Sequence, residues 1–196
     1  DVIIIVTRYI QMDRIVVRLR TEQELKIFMD PLRQRLLRTM EILGVPTTPK
    51  HLADLMQITP SAAKHHITRR MSIGLVAEDH TENIHGIHAV FYKALPVDVS
   101  LGLCEREFAE ERSAVMENQI AGVYTRLKAN LLDYAAQGGE GPRPGDCEAG
   151  VLHLTREDLA KLHEWFGQFF EEHEFPAEGT EPYEYAIMLT KTKETL

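Results

Sequence analysis

The chain has 196 residues, is 44% apolar and carries a formal charge of −8 at neutral pH. That length and composition suit one large globular domain or two small ones, with enough apolar residues for a buried core. The VIIIV run at 2–6 is cut short by Thr7 and Arg8, far below the ~20 residues of a membrane-spanning helix. No basic segment precedes it, which argues against a secretory signal. Cys104 and Cys147 match no ligand or redox spacing. The expectation is a reduced, cytoplasmic protein that engages no membrane.

Charge is distributed unevenly. Residues 12–96 hold 12 Lys and Arg against 9 Asp and Glu, whereas residues 97–196 hold 9 against 20. No acid occurs from Leu55 to Ala77, a stretch that contains Lys64, Arg69 and Arg70. A local basic stripe of this kind can bind phosphate within an acidic protein.

Residues 1–20 form an N-terminal extension or strand, and Met12 is a candidate native start that would set residues 1–11 apart. Thr21 with Glu24 makes a capping box, so a helix should run from there to about Asp30. Asp30-Pro31 opens PLRQRLLRTMEIL, whose Leu32, Leu36, Leu37, Met40 and Leu43 form an apolar face before Gly44. Thr48-Pro49 opens a helix burying Leu52, Leu55 and Met56, and Thr59-Pro60 opens another that stops near Gly74. LVAEDH at 75–80 and GIHAVFYKAL at 86–95 read as strands, joined by a hairpin tip in TENIHG. Helices in close succession followed by a two-stranded ribbon make residues 21–96 a winged helix-turn-helix.

The helix after Pro60 carries the adjacent pair His65-His66. At about 100° per residue, Ala63, Ile67 and Gly74 face the protein. Ser61, His65, Thr68, Arg69 and Ser72 face away, with Lys64 beside them. His66 turns inward and Arg70 falls almost on the packed side. Imidazoles one residue apart diverge, whereas helical metal pairs sit three or four apart, so no metal site is expected. Lys64 and Arg69 can neutralise phosphate or read guanine edges, and Ser61 at the helix start can bond phosphate. Asn83 and His85, at the hairpin tip, are placed to reach a minor groove or the backbone.

Residues 97–136 read as one long helix. Its stripe of Met116, Ile120, Val123, Leu127 and Leu131 continues to Tyr134 and needs a partner, either within the monomer or as a homodimer seam. The Gly- and Pro-rich residues 137–150 form a linker. Residues 151–196 form a small α/β appendage, with strands at 151–155 and 184–190 around a helix capped by Thr155. On that helix Leu159, Leu162, Phe166 and Phe169 share a face, with Trp165 and Phe170 beside them. Trp165, Phe166 and Phe169 make either core or a ligand pocket.

DPLRQRLLRTM, HLADLMQITPSAAKHHITRRMSIGLV and HTENIHGIHAVFYKAL together resemble the winged-helix module of ArsR-type bacterial transcriptional regulators. The resemblance covers about residues 21–96. It implies a homodimer that binds a double-stranded DNA operator with the helix at 60–73 in the major groove, most commonly as a repressor, and places Ser61, Lys64, His65 and Thr68 in DNA-facing slots. Arg70 departs from the pattern, which has leucine there. Either Met71 takes its packing role or Arg70 pairs with a carboxylate such as Asp54 or Glu78. The cysteine clusters or helical Asp and His ligands of the metal-sensing members are missing, so neither metal nor cofactor is expected.

The fold class is therefore mainly α with a small β part (α+β). No nucleophile–base pair or phosphate loop stands out, so no enzyme activity is expected. Two alternatives stay open: a winged helix used for protein interaction, and a receptor whose aromatic C-terminal pocket takes a small-molecule effector.

Overall fold

The computed structural model of the protein describes residues 15–84 and 86–192. The candidate His85 and the extension at 1–11 lie outside these described residues. The fold is mixed α+β, and each of its first four helices begins at a side-chain cap. In chain order, β1 (Ile15–Arg18) leads to α1 (Glu22–Met29), α2 (Pro31–Leu43), α3 (Pro49–Met56) and α4 (Pro60–Met71). Thr21 accepts from the Glu24 amide at 3.2 Å while Glu24 accepts from the Thr21 amide at 2.9 Å. Asp30, Thr48 and Thr59 accept from the amides of Arg33, His51 and Ala62. Each cap is worth about 1 kcal/mol. Proline at the first position of α2, α3 and α4 removes an amide that would otherwise lack a partner.

After α4 the chain forms an antiparallel hairpin of β2 (Val76–Ile84) and β3 (Ile87–Ala94). The ladder runs further than the sequence suggests, closing on the pair Ile84↔Ile87. Asn83 is thus a ladder residue opposite His88 rather than a tip residue, a correction that follows from strand pairing that continues as far as Ile84↔Ile87. Asp79 is an extra residue between the pairs Glu78↔Tyr92 and His80↔Phe91, a β-bulge. Thr47 exchanges two backbone hydrogen bonds with Tyr92, both 2.8 Å, and so joins the α2–α3 connection to the hairpin.

Two adjoining clusters make the core. Leu36, Met40, Leu52, Ala53, Met56, Ala63, Ile67, Val76 and Tyr92 unite α2, α3, α4 and the hairpin. Leu55 is 48% exposed, contrary to expectation. The buried arc of α3 is centred between Leu52, Ala53 and Met56, and Leu55 falls about 100° from that centre. The second cluster joins Leu19, Leu25, Ile27, Phe28, Ile73, Leu75, Leu101 and Val115.

Residues 97–108 are not helical. Val97–Ser100 is β4, parallel to β1 with Ile15 opposite Val97 and Arg18 opposite Ser100. The long helix α5 begins only at Ala109 and continues to Ala136. Valines at 97 and 99 favour the pleat, but the pairing needs a strand some 80 residues earlier (15 against 97), which no local pattern announces. Arg112 secures this junction. It is 1% exposed, donates to the carbonyls of Leu19 and Leu101 and to that of Glu107 at 2.9 Å, and lies 3.0 Å from Glu105.

The C-terminal part holds α6 (Arg156–Glu172) but no strand at 151–155 or 184–190 among the described residues. Alternating apolar residues suit any extended segment, and a ladder also requires a partner edge. Within the described residues no helix is long and apolar enough to cross a membrane.

Candidate functional site

Helix α4 presents two chemically distinct faces. Ala63, Ile67 and Arg70 are fully buried, while Ser61, Lys64, His65, Thr68, Arg69 and Ser72 are exposed. The inward set occupies a narrow arc at 100° per residue, and packing of that arc on α2 and α3 turns the remaining side chains out.

The exposed residues differ in their freedom. Among the described residues the Arg69 guanidinium has no hydrogen-bond or ionic partner, and it borders a shallow cleft of about 280 Å³ with Thr21, Gln23 and Ser72. Lys64 is tethered: its ammonium bonds the Tyr92 hydroxyl and sits 4.2 Å from the centre of that ring. Tyr92 in turn donates to Glu78 at 3.2 Å. Thr68 donates its hydroxyl proton to the Lys64 carbonyl at 2.9 Å and is itself exposed.

His65 and His66 lie edge to face with ring centres 5.5 Å apart. Partial burial lowers the pKa of His66 from its ordinary 6.5, and its Nδ1 has no partner. No group of three His, Cys, Asp or Glu among the described residues gathers as a metal site.

Arg70 pairs with neither Asp54 nor Glu78, and Met71 does not replace it. Its Nη2 donates to the Phe28 carbonyl and its Nε to the Arg33 carbonyl, both at 3.2 Å, and the guanidinium lies 5.1 Å from the centre of the Phe28 ring. The C-terminal carbonyl end of α1 is a favourable place for a cation. Burial, with Arg33 adding repulsion, still lowers its pKa to about 10.

The hairpin beside α4 carries exposed Glu78, Asp79 and Glu82 as well as Asn83. Lys93 lies 2.8 Å from Asp79, and His80 bonds Asp79 at 2.7 Å while stacking on Phe91. Lys93 first, then His80, hold the Asp79 carboxyl low, and Asp79 raises the His80 imidazole above 6.5.

On α5, Met116 packs on the second core, and Ile120, Val123, Leu127 and Leu131 are half-buried. The linker lies close to this stripe, since a Cβ at Gly145 would come within 2.8 Å of Leu127. On α6 the buried positions are His163 and Gly167, with Phe166 and Phe170 partly covered. Phe169 does not share that inner face. Trp165 and Phe169 are 55% and 43% exposed and stack on each other with centres 5.4 Å apart. Trp165 and Phe169 thus form an outward stacked pair, while Phe166 tilts against Trp165 from the inner side and stacks on Phe170; two clefts lie elsewhere, beside Arg69 and beside Tyr134.

Sequence reasoning missed Arg112 and the trio Arg38, Arg126 and Glu184, whose carboxylate receives both arginines. Glu184 stands 146 residues from Arg38 and 58 from Arg126, and Arg112 reaches Leu19 across 93, so none of these meetings carries a local signal. Family models give no match to the chain, and no curated protein matches it.

Proposed function

We propose that this chain is a sequence-specific double-stranded DNA-binding regulator, a winged helix-turn-helix repressor acting as a homodimer, with α4 as the helix that enters the major groove. The observation that carries the reading is the outward row of Ser61, His65, Thr68 and Arg69, which has no acid among its members and includes a guanidinium without a partner among the described residues. Arg69 is suited to guanine or phosphate, and the Thr68 methyl to thymine. Ser61 lies in the first turn, where backbone amides favour an oxyanion. Lys64 holds the helix to the hairpin through Tyr92, so its substitution would disturb packing as well as charge.

Selection from a random duplex pool tests both specificity and symmetry. The expected outcome is an enriched palindrome, because a twofold dimer reads two half-sites. Binding should fall steeply with salt, and Arg69→Ala should cost about 1–3 kcal/mol in affinity with unfolding unchanged. Equal binding by Arg69→Ala would remove α4 as the contact.

One observation favours a second reading, a protein-binding module. Glu78, Asp79 and Glu82 make the hairpin an acidic neighbour of the basic helix, and phosphate avoids such a surface. A pool that yields no enriched duplex at low salt would favour that alternative.

A further inference from the structure

The segment after α6 has no regular secondary structure in its described part, yet side-chain contacts fasten it in three places. Pro176 seats on Gly44, where an added Cβ would approach the proline ring to 2.2 Å. Tyr185 stacks on Phe170 with ring centres 4.3 Å apart and planes 13° from parallel. Its neighbour Glu184 reaches α2 and α5 together. Arg38 Nε and Nη2 donate to Oε1 and Oε2 at 2.5 and 2.7 Å, and Arg126 Nε and Nη2 donate to Oε2 and Oε1 at 2.7 and 2.9 Å.

Two forked guanidiniums on a single carboxylate have one positive charge in excess, and paired parallel bonds suit a planar carboxylate. The three side chains are 30–40% exposed, so solvent and solutes reach them. Desolvation first, and Glu184 and Glu174 after it, push the Glu41 carboxyl up to about 7 against the opposing pull of Arg70 and Arg38, and a dianion at the place of Glu184 would add to that repulsion. Departure of the segment would uncover both forks and the face of Phe170, itself stacked on Phe166 at 5.8 Å.

We propose that Arg38, Arg126 and the Phe170 face form a binding site for an aromatic monocarboxylate, which Glu184 and Tyr185 occupy as an internal surrogate. Arg38 and Arg126 fix the carboxylate, and Phe170 takes the ring. The tethered occupant competes at an effective concentration in the millimolar range, so an external ligand binds the wild type weakly. Because the site spans α2 and α5, exchange of the occupant changes how the α2–α4 unit is tied to the long helix. That consequence for duplex binding rests on the proposed DNA reading; the site itself does not.

The test uses the full chain without DNA, with 3-(4-hydroxyphenyl)propanoate as the probe. Binding is followed by calorimetry and by fluorescence of Trp165, the single tryptophan, which stands beside Phe166. Glu184→Gln should bind the probe at least tenfold more tightly than wild type, and Arg126→Ala in that background should abolish the gain. Propanoate, lacking the ring, and 3-(4-hydroxyphenyl)propanol, lacking the charge, should each bind Glu184→Gln at least tenfold more weakly than the probe. Equal affinity of wild type and Glu184→Gln, or a gain that survives Arg126→Ala, overturns the site. Should Glu184→Gln fail to fold, saturating wild type with probe must move the Nε–H resonances of Arg38 and Arg126; unmoved resonances overturn it equally. A bound probe with no selected duplex would keep the site and remove only the DNA reading.

Discussion

Arg70 occupies a position with no exposure, and its partners explain how a cation is tolerated there. The two carbonyls it bonds belong to helices α1 and α2, and the Phe28 carbonyl also accepts from Gln34 at 2.6 Å. Removing the guanidinium therefore strands no backbone group, and Nη1 already has no partner. A buried charge often contributes no more than an apolar side chain of similar volume. Arg70→Met should accordingly keep the unfolding free energy within about 1.5 kcal/mol. Arg70→Ala should lose about 2–4 kcal/mol through the cavity. Urea denaturation checks both, and a large loss for Met would show that the charge itself stabilises the fold. Helical geometry alone placed this residue on the packed face, but its partners belong to α1 and the first turn of α2, far away in sequence.

The clearest sequence signals at the scale of elements were the ends of helices. Capping residues and prolines act within four residues of themselves, so Thr21, Asp30, Thr48 and Thr59 mark helix starts that the structure contains. Gly44 marks the end of α2 for two reasons, only one of them local. Its φ of +61° is left-handed, which costs other residues about 1–2 kcal/mol, and Pro176 occupies the space a side chain would need. Gly44→Ala should destabilise by at least that amount in urea denaturation. Gly44→Asn separates the causes, since asparagine tolerates the left-handed region but not the contact; equal losses would identify Pro176 as the main cause. Strands were less legible. The hairpin followed from consecutive residues, whereas β4 depends on β1 across the whole intervening domain, and the segments at 151–155 and 184–190 have strand-like patterns without a ladder. For α6 the periodicity located a helix but not its inner side, because Phe166 and Phe169, three residues apart, fall on opposite sides of the buried boundary.

For the whole molecule, the separation of a basic-leaning half from an acidic one is a property of composition, and the proposed dimer is where it has a mechanical consequence. Helix α5 has 28 residues and a length of about 42 Å. Val115 and Met116 belong to the second core, while the stripe beyond them is only half covered. In the proposed homodimer Leu127→Asp places a charge in the seam and should yield monomers by light scattering; an unchanged dimer would move the seam elsewhere. The amino-acid sequence by itself determined the starts of the five helices that open on a side-chain cap, the order of the first four helices and the hairpin, and the outward face of α4, because caps, turns and a 100° period act over neighbouring residues; the uncapped start of α5 was not among them. Tertiary structure alone decided the parallel pairing of β1 with β4, the burial of Arg70 and Arg112 against carbonyls, and the meeting of Arg38, Arg126 and Glu184. Those arrangements join groups from distant segments, and no local pattern encodes which distant group will fill a given space.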